Sequence, residues 1–334
     1  MRHYNIPFFI PELGCPHQCV FCDQHRISGT PKVPRPKELS SQVEAYLATF
    51  PDGEKQVEIA FFGGNFTGLL PEEQEAYLAA TTPWLRDGKV QGIRLSTRPD
   101  YISRENLELL KRFGVSSIEL GAQSMDEEVL RLSGRGHTAR QVEEAASLIL
   151  AHDFRLGLQM MTGLPGDTKE KTLFTARRIV ELGAVETRIY PTLVIEGTHL
   201  AKLYREGSYE PLNLEETVER CKHLVLIFEQ HKVKILRLGL HPSEGLINGN
   251  DLLAGPFHSA LKEVVETAIW GELFREAYAQ WQGTSVCIRV SPKALNAAIG
   301  HHASNRKWLE QVFKKVNFNA DPALKGREYR ADPC

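Results

Sequence analysis

Six short apolar runs, each followed by a longer stretch with helical periodicity, constrain this chain more than any other feature. The runs lie at residues 5–10, 57–62, 92–96, 117–121, 155–161 and 185–190, and 234–240 reads as a seventh. Helical segments lie near 37–49, 71–86, 103–113, 138–152, 168–182 and 214–231. Ser103, Thr138 and Asn213 give helix-start signals ahead of RENLELL, ARQVEEA and LEETVER. Repeated strand-then-helix units pack as a parallel sheet with helices outside it. The fold expected is α/β, a partial (β/α)6 TIM-type barrel with a small C-terminal α+β extension. A doubly wound sheet is the structural alternative. The 334 residues leave room for a barrel and an appended module. The expected divisions are a (β/α)6 core over 1–210, a barrel extension over 211–283 and a small basic module over 284–334.

Parity along the strands says more, because successive side chains point to opposite faces. Ile118 and Leu120 share one face, and Glu119, Gly121 and Gln123 the other. Leu156, Leu158 and Met160 oppose Arg155, Gly157 and Gln159. Ile93 and Leu95 oppose Arg94 and Ser96, while Val185, Thr187 and Ile189 oppose Glu186, Arg188 and Tyr190. The apolar faces suit the outer helices. That leaves a barrel interior far more polar than the Val, Ile and Leu that ordinarily fill one. Buried charges need partners or a ligand. Two readings stand: internal ion pairs, such as Glu119 with an arginine, or a polar cavity that holds substrate and cofactor.

Three of the six cysteines, Cys15, Cys19 and Cys22, fall within eight residues just after the first run. A formal net charge of -2 gives no global attraction to nucleic acid or acidic membranes. No window holds 18 consecutive apolar residues, and the start has no signal-peptide cleavage pattern. The expected location is therefore cytoplasmic, with no membrane partner, where thiols stay reduced and a cysteine cluster reads as metal-binding or catalytic. Thiolates in a loop suit soft or borderline metals. Structural zinc takes four protein ligands in paired spacings; a second pair is missing here, although His17 and His25 could complete a site. Three thiolates suit a [4Fe-4S] cluster with one iron left open, since such clusters ordinarily take four cysteines. An open iron can chelate a substrate or cofactor, and Phe21 can pack on a nearby ring.

The C-x3-C-x2-C spacing with an aromatic before its last cysteine resembles the signature of the radical S-adenosylmethionine (radical SAM) superfamily. Residues 5 to about 265 are similar to its Elongator catalytic-subunit-like group, without that subunit's acetyltransferase domain. The family fold is a (β/α)6 barrel with the cluster loop after the first strand. The resemblance implies a [4Fe-4S] cluster on Cys15, Cys19 and Cys22, with S-adenosylmethionine on the open iron. An electron from an external flavodoxin- or ferredoxin-type donor then cleaves the sulfonium. The 5′-deoxyadenosyl radical abstracts hydrogen from a substrate or adds to it.

The same resemblance assigns further residues. In FFGGNFTG the backbone of Gly63, Gly64 and Asn65 would hold the methionyl amino group; Asn65 stands where relatives carry an acid, so no carboxylate role transfers. Ser96 replaces a ribose-binding Glu, and Thr97, Arg98, Pro99 and Asp100 after it read as a turn and helix start. In the stretch ELGAQSMDEEVLRLSGRGHT, Gln123 would lie near the cofactor and Arg135 would grip the methionyl carboxylate through two parallel hydrogen bonds. A surface charge is the plain alternative for Arg135. Gln159 aligns with a ribose contact, ahead of a GLPG turn toward the adenine. Each motif ends a strand, and in a parallel barrel those ends share the face where active sites are built. Arg188, Tyr190 and Arg237 would line the substrate end or serve as ion-pair partners. Arg188 and Tyr190 join the three cysteines as candidate catalytic residues, and Phe21 joins the cofactor contacts.

From about residue 284 the pattern reads strand, helix, glycine loop, helix, strand. The loop IGHHASN loosely resembles that of a KH nucleic-acid module, with Ala303 in place of its second glycine. Residues 284–330 hold nine Lys/Arg against three Asp/Glu, a local excess of +6 that suits phosphate. A charged cap on the barrel is the alternative. Cys287 and Cys221 read as packed thiols, and the terminal Cys334 as a mobile one. The expected function is a radical SAM enzyme acting on RNA, with a tRNA nucleoside as target. A small molecule or tetrapyrrole is the alternative substrate, by a more distant likeness to the oxygen-independent coproporphyrinogen oxidases. A non-enzymatic iron–sulfur or RNA-binding protein is the third reading.

Overall fold

Seven strands pair in the order in which the chain makes them, and every pair is parallel. They are β1 (Arg2–Phe9), β2 (Lys55–Phe62), β3 (Gly92–Thr97), β4 (Val115–Gln123), β5 (Arg155–Thr162), β6 (Glu186–Pro191) and β7 (Lys234–Leu238). The computed structural model describes residues 2–10, 14–16, 18–28 and 33–334. A doubly wound sheet reverses its strand order partway. The sequential order here excludes that and gives a partial TIM barrel. Among the described residues β1 and β7 form no ladder with each other, so the sheet curls without closing.

The helices follow from periodicity and caps. The side chains of Ser103, Thr138 and Thr168 accept hydrogen bonds from the backbone N–H of Asn106, Gln141 and Lys171, which starts α1 (Arg104–Arg112), α2 (Ala139–Ala151) and α3 (Lys169–Glu181). Such a cap contributes about 1 kcal/mol. Leu107 and Leu110, then Val142, Ala146 and Ile149, then Ala176 and Ile179 repeat every three or four residues and are buried. They supply the apolar faces that cover Ile93, Leu95, Ile118, Leu120, Leu156, Leu158 and Ile189, which are fully buried. Each large aliphatic side chain withdrawn from water stabilises the sheet by about 1.5–3 kcal/mol. The single helix expected over 71–86 is instead two, Pro71–Ala79 and Thr82–Arg86. Pro83 is the reason: it lacks an N–H, and its ring would collide with the carbonyl four residues back in a continuous helix.

The opposite strand faces carry the charge, and both readings of the interior hold. Arg94 is fully buried at its floor and donates to Glu58 Oε2 at 2.9 Å, Glu119 Oε1 at 2.8 Å and Glu186 Oε2 at 2.9 Å. His3 and Arg155 add contacts to Glu58, each at 2.7 Å. Burial alone would raise the Glu58 carboxyl, but His3, Arg94 and Arg155 overcome it and hold the pKa at about 2. The ion pairs therefore fill the lower interior, and a cavity opens above them.

The chain divides into two units, Met1–Asn213 with Leu224–Phe257, and Leu214–His223 with His258–Cys334. In the second, β8 (Ser285–Val290) runs parallel to β9 (Lys315–Ala320) and antiparallel to β10 (Tyr329–Pro333). Helices Leu295–Ile299 and Ser304–Leu309 join β8 to β9 around a loop in which Gly300, His302 and Ala303 have φ of 93°, 53° and 58°. Trp270, Phe274, Ile288 and Leu309 form its core. Cys221 is buried, and burial pushes its thiol up to about 12. Cys287 and Cys334 differ from expectation: they form a disulfide. The antiparallel return of β10 sets Val286 opposite Pro333, which brings the terminal residue beside Cys287. Among the described residues no helix is long and apolar enough to cross a membrane.

Candidate active site

The C-terminal ends of the seven strands surround one cavity of about 650 Å³. Cys15, Cys19, Phe21 and Cys22 line it, as do Gly63, Gly64, Ser96, Gln123, Arg135, Gln159, Arg188 and Tyr190. Of the residues singled out in the sequence, Asn65 stays outside this lining. Its buried amide donates to the Gly14 carbonyl at 2.7 Å and accepts from Thr97 Oγ1 at 2.6 Å and from the Arg98 N–H at 3.1 Å. One side chain thus ties together the loops after β1, β2 and β3.

The cysteine loop is held at several of its described residues. Gly14 has φ +74°, and a Cβ there would stand 2.6 Å from the Asn65 carbonyl oxygen, so only glycine fits. The Cys22 N–H donates to the Cys19 carbonyl at 3.1 Å, closing the tight turn that the two-residue spacing allows. The Val20 N–H donates to the Ser133 carbonyl, and the Val20 carbonyl accepts from the Leu200 N–H at 2.7 Å. Phe21 is buried with Val129, Leu164, Leu200 and Tyr209, so its ring anchors the loop as well as facing the cavity.

Around these thiols the polar groups are already oriented. Arg135 donates from Nη1 to Cys19 Sγ at 3.1 Å and from Nη2 to the Gly121 carbonyl at 2.7 Å. It is buried rather than a surface charge. Arg98 holds Asp100 through two bonds of 2.9 Å and donates to the Arg135 carbonyl at 2.7 Å. Burial works against the Arg98 charge, but Asp100, Cys19 and Cys15 more than compensate and raise its pKa. The sequence offered Arg98 only as part of a turn; the available signal was a cation directly after a buried strand. His137 is buried against Ala122, and burial, then the Arg135 and Arg98 charges, lower its pKa to about 3.

Gln123 is the strained member. The β4–β5 register shifts between Gly121 and Gln123, and Gln123 has φ +63°. A bulge with a left-handed non-glycine residue re-aims a side chain at some energetic expense. Its amide oxygen is buried and has no hydrogen-bond partner among the described residues. Such an orphaned acceptor, on a residue that lines the cavity with the three thiols, fits a bound polar ligand. Gln159 donates to Ser96 Oγ at 3.0 Å and to Glu119 Oε2 at 3.1 Å, joining the two residues read as ribose contacts.

At the other end Glu119 grips Arg188, with Nε donating to Oε2 at 2.5 Å and Nη2 to Oε1 at 3.1 Å. The Arg188 guanidinium lies 4.7 Å over the Phe62 ring. Tyr190 hydrogen-bonds Arg188; burial raises its pKa while the Arg188 charge opposes the rise, so the phenol stays protonated. Arg237 and His241 complete this wall. Among the described residues the lining has no Asp or Glu. Nor do three His, Cys, Asp or Glu converge there as they would on one metal ion. His17 and the side chain of His25 lie outside the described residues. The ligands of a cluster need not converge on a point, because each thiolate takes its own iron.

Comparison with known proteins agrees with this arrangement. A family model described as the radical SAM superfamily matches residues 10–179, and one described as a radical SAM C-terminal domain matches 186–270. The chain is 28% identical over 232 residues to a tRNA uridine(34) acetyltransferase of Dehalococcoides mccartyi, covering 60% of this chain and 50% of that protein. It is 32% identical over 193 residues to Elongator complex protein 3 of Schizosaccharomyces pombe, covering 51% and 36%. The chain thus spans half or less of the length of these curated relatives. Among solved structures, the archaeal Elp3 of Methanocaldococcus infernus with an N-terminal deletion superposes with a TM-score of 0.62 at 19% identity, over 83% of this chain and 63% of that one.

Proposed function

The chain belongs to the radical SAM superfamily, and from that premise we propose that it modifies a nucleoside of tRNA. The observation that carries the chemistry is the set of three loop thiols opening on one cavity with an orphaned buried acceptor, Gln123, in its wall. A [4Fe-4S] cluster and S-adenosylmethionine, when bound, supply reductive cleavage of the sulfonium to a 5′-deoxyadenosyl radical, with the electron coming from a flavodoxin- or ferredoxin-type donor.

The chain's own residues have distinct tasks. Cys15, Cys19 and Cys22 would each hold one iron, leaving the fourth iron for S-adenosylmethionine. Arg135 meets negative charge on the Cys19 sulfur with a charge-assisted hydrogen bond. Gly63, at φ +85°, and Gly64 keep side chains out of the wall, so that backbone approaches the ligand. Ser96, Gln123 and Gln159 offer hydrogen bonds to its amino and hydroxyl groups. Arg188, held by Glu119, and Tyr190, hydrogen-bonded to Arg188, would face the substrate.

The tRNA target draws support from relatives that carry tRNA uridine(34) and Elongator names. It also draws on the basic excess over residues 284–330. In that unit the loop between two short helices, with three left-handed residues, would meet RNA phosphates. Anaerobic reconstitution with iron and sulfide, reduction and assay for 5′-deoxyadenosine test the chemistry. An intact cluster without cleavage refutes it. Nucleoside profiling of tRNA from cells lacking the protein tests the target: one modification should vanish. Reversing exposed Lys293 and Lys307 to Glu should weaken tRNA binding and flatten its salt dependence; unchanged affinity would remove the C-terminal unit from the RNA contact.

A further inference from the structure

Among the described residues, one cation of the cavity wall meets no carboxylate. Arg237 on β7 is the register partner of Arg188 on β6, so two guanidinium groups stand on adjacent strands. Their surroundings differ. Arg188 is held by Glu119 through two hydrogen bonds. Arg237 donates to backbone carbonyls, from Nε to Gly239 and from Nη2 to Leu240, each at 2.9 Å. Among the described residues no carboxylate meets it. Burial pushes its pKa down, the Tyr190 oxygen opposes that, and Arg188 adds to it. A guanidinium keeps its proton in proteins, so a partly buried one without a counter-charge favours an anionic ligand.

Neighbouring residues narrow the ligand. His241 lines the cavity too, and burial and Arg237 lower its pKa, so it stands as a neutral imidazole able to donate one hydrogen bond. The Phe9 ring, 6.2 Å from Phe62 in the same lining, offers an apolar face to a flat ring, while the Phe62 ring carries the Arg188 guanidinium. No carboxylate of the described lining would repel a phosphate.

We propose that Arg237 and His241 form the subsite for a phosphate of a nucleotide substrate whose ring packs on the Phe9 side of the wall. The inference deepens the tRNA reading and rests on it for the choice of a uridine nucleotide. The subsite engages the phosphate carried by the modified nucleoside, and Arg188, already paired, is left to orient the ring end.

The test is equilibrium binding of uridine 5′-monophosphate and of uridine to the full chain with its cluster reconstituted. The monophosphate should bind roughly 10- to 100-fold more tightly, the range for one or two charge-assisted hydrogen bonds. Arg237→Met should erase that preference, and Arg237→Lys should keep part of it. Equal affinity of the wild-type protein for the two probes overturns the inference, as does no saturable binding of the monophosphate. So does an unchanged preference in Arg237→Met. The wild-type comparison needs no variant, so a misfolded substitution does not shelter the idea. Substrate-free cleavage of S-adenosylmethionine by the wild-type protein reports separately on the radical chemistry. A phosphate preference without cleavage leaves the subsite standing and removes the radical reading; cleavage without the preference does the reverse.

Discussion

Arg94→Met is the substitution that asks most of the fold. Methionine fills much of the same space but removes the cation from three carboxylates. Their losses are unequal. Glu58 keeps His3 and Arg155, and Glu119 keeps Arg188. Glu186 is left with Lys234 at 3.9 Å and is 5% exposed. The uncompensated charge is therefore concentrated on Glu186. Breaking a buried pair in this way costs about 3–5 kcal/mol, a large share of the ~5–15 kcal/mol that holds an ordinary domain together. The pH dependence has a definite sign. It runs through Glu58, whose carboxyl Arg94 helps to depress, so part of what Arg94 contributes is lost on acidification. In the native protein Glu58 is depressed from 4.5 to about 2. Its contribution, about 3 kcal/mol, is present above pH 4.5 and is lost as pH falls toward 2. Urea unfolding at pH 8 and pH 3 should show a gap between wild type and variant that narrows at the lower pH, where the Glu58 contribution is being lost. Adding Glu186→Leu should recover about half of the loss. A loss below about 1 kcal/mol at pH 8, or a gap independent of pH, would refute the idea that Arg94 neutralises the floor.

Three further outcomes follow from the site. Serine at Cys15, Cys19 or Cys22 should abolish the iron and sulfide content of the reconstituted protein while leaving its far-ultraviolet dichroism intact; retained cluster absorbance would count against the ligand set. Gly14→Ala places a methyl group against the Asn65 carbonyl at a left-handed φ, at a strain of roughly 1–3 kcal/mol, and should lower cluster loading without touching a cysteine. His137 is neutral in the fold, with its pKa depressed to about 3, so its contribution is complete above pH 6.5 and is lost as pH falls toward 3. His137→Gln should therefore flatten the acid limb of the melting curve by up to about 1.4 kcal/mol per pH unit, and an identical limb would show that another group titrates there.

Strand identity and facing were legible because both depend on a period of two residues. Glu119, Gln159 and Arg188 could be aimed inward from three separate strings. What those strings did not disclose was pairing. Arg94 meets Glu58, 36 residues earlier, and Glu186, 92 residues later. No local pattern encodes contacts of that span. Asn65 illustrates the same limit from the other side. In sequence it stands where relatives carry an acid, whereas its amide is spent on Gly14, Thr97 and Arg98. The break after Ala79 was readable from Pro83 but was masked by apolar periodicity on both sides. The Cys287–Cys334 bond depends on an antiparallel return that no spacing announces.

The unclosed sheet has a mechanical consequence. In a closed barrel every strand is hydrogen-bonded on both sides, so the bore cannot widen without tearing a ladder. Here the wall has a seam between β1 and β7. Phe9 from one margin and Arg237 from the other face the same space. Small changes of twist, spread over six ladders, can part those margins while every inter-strand bond stays made. What ties the segments beside that seam is side chains, Arg26 to Asp251 at 2.6 Å and Ile27 against Leu193, Ile195 and Leu246 among them, so such a motion would strain these contacts and not a ladder.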